Sequence, residues 1–138
     1  MNASAEFLAD RAELQRIEPF TKGFADRAQL GPKDLFALQI VVEELVTNVI
    51  DYGKVPAGEP ACMVDLRIED GGELVVVIKD RGRAYNPLLR EEPDVTLPAE
   101  LRPIGGLGVH FCKKLTDTQH YERVGEWNVL TLRKKLSL

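Results

Sequence analysis

The stretch PKDLFALQIVVEELVTNVIDYG, residues 32–53, decides the fold. Each residue sits about 100° further round a helix than the last. Leu38, Val41, Val42, Leu45, Val46, Val49, Ile50 and Tyr52 then gather into one apolar face. Pro32 suits an early helical position and Gly53 a helix stop. Glu44 and Asn48 fall together along one border of that face, one turn apart. Glu43 lies at the opposite border, and Thr47 and Asp51 point outward. A carboxylate and an amide at i and i+4 form an ordinary solvated pair. At the rim of a cleft the same two groups offer a general base and a hard oxygen for Mg²⁺. The helix alone leaves both readings open.

Outward from this helix the pattern alternates between helical and strand periods. Residues 9–28 place Leu14, Ile17, Phe20, Phe24 and Ala28 at helical spacing, with Pro19 expected to kink or split the segment. Residues 62–68 alternate by two like a half-buried strand, and residues 73–79 read as a central strand. Asp70-Gly71-Gly72 turns between them. Residues 86–104 hold four prolines among acidic residues, and a loop of that length in a compact domain usually serves function or is disordered. A helix is expected over 107–115, then strands over 118–124 and 127–134 joined at Gly125-Glu126. Helices, hairpin, loop, helix and hairpin in that order predict an α+β domain of two layers, a mixed sheet with helices on one face.

Two further turns carry chemistry. Asp80-Arg81-Gly82 follows directly on the apolar strand, where glycine permits a sharp turn and close backbone approach to a ligand. It reads equally as a plain Asp-x-Gly turn. Gly105-Gly106-Leu107-Gly108 opens the next helix, exposing backbone N–H groups at the positive end of a helix dipole, a cradle for phosphate. The chain has no GxxxxGK[ST], and no GxGxxG follows a first strand, so Walker and Rossmann nucleotide sites are disfavoured.

The order of these elements is more specific than any one of them. EELVTNVIDYG (43–53), DRGRAYNP (80–87) and GGLGVH (105–110) together resemble the GHKL ATPase superfamily, and within it the stand-alone anti-sigma factor and serine-protein kinase family. The resemblance spans roughly residues 34–135. It implies a Bergerat-type two-layer ATP-binding fold, mostly antiparallel, in a single domain over 1–138 with an ATP lid at about 88–104. It further implies that Asn48 ligates Mg²⁺ bridging the ATP phosphates and that Glu44 is the general base. Asp80 would accept a hydrogen bond from the adenine amino group. Gly82 would lie against the purine, and Gly105, Gly106, Leu107 and Gly108 would hold the phosphates. The implied partners are a STAS-type anti-anti-sigma protein, phosphorylated on serine or threonine, and a sigma factor, with a homodimer among the implied arrangements.

The sequence departs from the family in three places. Ala84 stands where the family shows glycine or proline. Ile104 precedes the glycines where active members carry a basic residue, leaving Arg102 as the nearest cation for a phosphate. An opening strand is implied, yet only MNASAEFL is available for it. The second position motivates an alternative, a non-catalytic module in which ATP only sets partner affinity.

The remaining composition bounds the reading. A net charge of -4 disfavours a nucleic-acid backbone as partner. The longest apolar run, near residues 35–42, is too short to cross a bilayer. The first ten residues lack the layout of a signal peptide, so a cytoplasmic location is expected. Cys62 and Cys112 show no metal or redox spacing and are expected to be reduced and buried. His110 and His120 are read as structural, and Tyr121 and Trp127 as cross-strand packing partners.

Overall fold

The computed structural model describes residues 1–89 and 106–137, with residues 106–108 described by backbone alone. Five strands form one sheet: β1 (Asn2–Leu8), β2 (Pro60–Glu69), β3 (Glu73–Asp80), β4 (Thr118–Val124) and β5 (Trp127–Lys135). Their spatial order is β1-β2-β3-β5-β4, and every pairing is antiparallel. The helices α1 (Ile17–Ala28), α2 (Pro32–Tyr52) and α3 (Gly106–Leu115) form the second layer, with α2 touching both α1 and α3. The expected α+β sandwich is therefore present, and its sheet is antiparallel throughout the described residues.

The two layers meet along faces that the residue periods dictate. From α2, Leu38, Val41, Val42, Leu45 and Val46 are buried against the alternate residues Val64, Leu66, Leu74, Val76, Ile78, Leu130 and Leu132 of the sheet. Asn48, Val49 and Ile50 are half-buried at the margin, whereas Glu43 and Asp51 are exposed. The opposite sheet face is open and charged. Val75 is nonetheless fully buried there, because its cross-strand neighbours are Arg67 and Arg133, whose aliphatic stems cover apolar surface. Arg133 donates to Glu69 at 2.7 Å and to Glu73 at 2.8 Å, locking those stems in place.

Three expectations are corrected. The opening strand is seven residues long and pairs with β2 over its length. Pro19 neither kinks nor splits a helix: residues Arg11–Arg16 form a 3-10 helix, α1 begins at Ile17, and Pro19 falls in its first turn, where no backbone donor is needed. Tyr121 and Trp127 do not pack on each other. Tyr121 sits opposite Leu130, so period-two alternation puts Trp127 on the other face, where the Arg81 guanidinium lies 4.4 Å from its ring centroid.

Candidate nucleotide site

The margin of α2 and the adjoining ends of β3 and β5 enclose a cavity. Asn48, Val49 and Tyr52 contribute from α2, Ile78 and Asp80 from β3, Asn128 and Leu130 from β5. All three tyrosines of the chain, Tyr52, Tyr85 and Tyr121, line it. The helix and strand periods thus bring Asn48 and Asp80, far apart in sequence, to one space. It encloses about 40 Å³, well below the roughly 300–1,000 Å³ of ordinary small-molecule sites. A ligand larger than this enters only as lining side chains move apart.

Asp80 is the buried acid of this cavity. Its Oδ1 accepts from the backbone N–H of Gly82 at 2.9 Å and from Asn128 Nδ2 at 3.0 Å. Oδ2 takes part in neither of these bonds. Gly82 is required by packing: a Cβ there would stand 2.7 Å from the Gly53 carbonyl oxygen and 2.9 Å from Asp80 Oδ1. The turn is held from two more sides. Arg123 Nη1 donates to the Gly82 carbonyl at 2.8 Å, and Asn128 Nδ2 to that of Arg83 at 2.9 Å.

Behind the Gly53–Gly82 contact lies a larger groove of about 800 Å³. Size alone would favour it, but Asn48 and Asp80 do not line it. Its cations Lys54, Arg81 and Arg83 share it with Glu6 and Glu59, so no single ligand chemistry converges there. The smaller cavity remains the candidate.

Glu44 does not line the cavity. It is half-buried on the α3 side of α2: the Cys112 thiol of α3 is pushed up to about 12, by burial first and then by the Glu44 charge, while its Sγ lies 3.9 Å from the Val41 carbonyl oxygen. Burial, and then the neighbouring Glu43, raise the Glu44 pKa from its ordinary value, the direction that makes a carboxylate a better proton acceptor. Cys62 is likewise pushed up to about 12, by burial, then Asp80 and Glu6. Both thiols are buried and free, and protonated at neutral pH.

The glycine motif is described in part. Gly106, Leu107 and Gly108 form the backbone of the first turn of α3; Arg102 and Gly105 lie outside the described residues, as does the expected lid beyond Leu89. Lys113 Nζ of α3 donates to the Leu88 carbonyl at 2.8 Å, tying α3 to the turn at residues 87–89. Asn128 was missed by the sequence reading. Its signal was there to find: it shares the inward face of β5 with Leu130 and Leu132 and is the one polar residue of that trio.

This arrangement of helix border, strand-end acid and glycine turn is that of an ATPase domain. The sequence profile of the histidine kinase-like ATPase domain matches residues 7–134, and the chain belongs to that family. Among characterised relatives, it is 27% identical over 97 residues to serine/threonine-protein kinase BtrW of Bordetella bronchiseptica, covering 70% of this chain and 68% of that one. The structure of the RsbU and RsbW domains of Rv1364c from Mycobacterium tuberculosis superimposes with a TM-score of 0.74 at 12% identity, covering 100% of this chain. The chain spans only 33% of that larger protein. The SiaB–SiaC complex of Pseudomonas aeruginosa gives 0.62 at 15% identity, over 96% of this chain and 88% of the matched one. At such identities the structural likenesses establish the fold. No helix among the described residues is long and apolar enough to cross a membrane.

Proposed function

We propose that this chain is an ATP-dependent serine/threonine protein kinase of the anti-sigma type. It would phosphorylate a STAS-type anti-anti-sigma protein and hold a sigma factor in a partner-switching pathway. The observation that carries the reading is Asp80, a buried acid whose Oδ1 is held by Gly82 and Asn128, in the same cavity as Asn48. Family membership and the kinase relative support it.

Each residue then has a task. Asp80 Oδ2 accepts from the adenine amino group, and Gly82 keeps the backbone close to the base. Asn48 offers one neutral hard oxygen, and no group of three or more His, Cys, Asp or Glu among the described residues could hold a metal by itself. Such a donor set fits an ion held largely by phosphate oxygens, as Mg²⁺ is. When bound, Mg²⁺ would offset phosphate charge. The first turn of α3, with Gly105 before it and Arg102 nearby in sequence, supplies donors for the phosphates. Glu44 takes the proton of the partner's hydroxyl as its oxygen attacks the γ-phosphorus; the bond to the bridging oxygen breaks and ADP leaves. The new phosphate adds negative charge at the partner's interface and so alters its affinity.

Calorimetric titration of ATP with and without Mg²⁺ tests this. Magnesium-dependent binding is expected in wild type and its loss in Asn48→Ala; absent binding by folded wild type would refute the reading. The residue Ile104 favours a second reading, a module that binds ATP without transferring phosphate. Labelling of a STAS partner from γ-labelled ATP would exclude it.

The raised pKa of Glu44 gives a pH test. A base works ionised, so transfer should rise with pH through the Glu44 pKa. Glu43→Gln removes one cause of the elevation, and the rising limb should move to lower pH. The sign for stability agrees: a carboxyl raised in the fold is better tolerated protonated, so its contribution is present at low pH and lost as pH rises through the folded pKa. An unmoved or upward-moved limb would refute the assignment.

A further inference from the structure

We propose that Asn128 sets the base selectivity of the cavity by fixing Asp80 with Oδ1 filled and Oδ2 as a pure acceptor. This inference rests on the reading of Asp80 as the group that meets the purine amino group.

The argument is an accounting of hydrogen bonds. A side-chain amide has two N–H donors and two acceptor positions. Asn128 is 5% exposed, and all four are used within the protein. Nδ2 donates to Asp80 Oδ1 at 3.0 Å and to the Arg83 carbonyl at 2.9 Å. Oδ1 accepts from the Tyr85 N–H at 3.3 Å and from the Tyr121 hydroxyl. Nothing remains for a ligand, so Asn128 is a positioning residue.

The amide cannot be turned over. The Arg83 carbonyl only accepts and the Tyr85 N–H only donates, so a flipped amide would oppose oxygen to oxygen and N–H to N–H. The N–H end must therefore face Asp80. With the Gly82 N–H on the same oxygen, Asp80 Oδ1 holds two donors. That turns the other oxygen, Oδ2, to the ligand, and a carboxylate oxygen can accept but not donate. An acceptor fixed at the base edge rewards a donor there, the adenine amino group. It gives nothing to a purine that lacks one and opposes a keto oxygen, lone pair against lone pair.

The register makes this possible. Asp80 is directly opposite Asn128 where β3 pairs with β5. Tyr121 reaches the same amide from β4, and Tyr85 and Arg83 from the turn after β3. One side chain thus joins three strands and the base-binding turn.

The test compares ATP with purine riboside 5′-triphosphate, which lacks only the amino group, in the presence of Mg²⁺. For wild type, a hydrogen bond to a charged acceptor predicts about 10- to 100-fold tighter binding of ATP. Asn128→Asp keeps the shape and the acceptors for Tyr85 and Tyr121 but removes both donors and sets a second carboxylate against Asp80. The preference for ATP should fall to about threefold or less. Asn128→Ala carries the same comparison without the added charge, should the first variant fail to fold. A residue that only braces the fold would weaken both nucleotides together, leaving their ratio unchanged; that result in either folded variant overturns the inference. Wild type that binds both nucleotides equally refutes the Asp80 reading itself, before any variant is compared.

Discussion

Replacing Glu44 by glutamine is expected to slow phosphoryl transfer to the partner's hydroxyl by about 10²- to 10⁴-fold, the usual worth of a general base. ATP affinity should stay within about twofold, because no bond to the nucleotide is lost. The separation follows from placement. Asn48 and Asp80 line the cavity, whereas Glu44 lies one turn back on the border facing α3, close enough for its charge to bear on Cys112. Glutamine keeps the length and the half-buried contacts, so a fall in rate cannot be assigned to a collapsed helix border. The measurement pairs transfer from γ-labelled ATP to a STAS-domain partner with calorimetric ATP binding. Undiminished labelling by Glu44→Gln would remove Glu44 as the base.

The second large effect belongs to Gly82. Alanine there would place Cβ 2.7 Å from the Gly53 carbonyl oxygen and 2.9 Å from Asp80 Oδ1. Neither neighbour is a flexible side-chain end with room to yield: one is backbone and the other is held by two hydrogen bonds. Overpacking of this kind costs about 1–3 kcal/mol of stability. The strain falls on the oxygen that orients Asp80, so ATP binding should weaken about tenfold for each 1.4 kcal/mol that reaches the site. Gly31→Ala is the control. It caps α2 with φ -73° and has nothing within 4 Å of an added Cβ, so stability should fall only by the N-cap preference for glycine over alanine, about 1 kcal/mol, and binding should hold. Denaturant unfolding and ATP titration of the two variants decide it, and wild-type behaviour of Gly82→Ala would refute the close-contact argument.

The parts legible in the sequence were those governed by local period. The apolar face of α2 and the border position of Glu44 and Asn48 follow from 3.6 residues per turn, and β3 from an unbroken β-branched run. Strand β1 was illegible because Phe7 alone of its residues is buried; its strand character comes from pairing with β2. Pro19 was misread because its effect depends on whether it falls in the first turn or the interior of a helix, and a 3-10 segment before Ile17 moved that boundary. Asn128 acquires meaning only when β3 and β5 pair in register, which no local window contains. The phosphate-binding half, Arg102 and Gly105 above all, rests on sequence order.

Strand β1 also bears on how the chain is made. Asn2 must find Arg67 and Phe7 must find Cys62, so this edge cannot close until some sixty further residues have left the ribosome, a matter of several seconds at ordinary elongation rates. Contacts this distant along the chain form slowly. During that interval Phe7 lacks its β2 partner, so a buried aromatic waits on a strand made some sixty residues later.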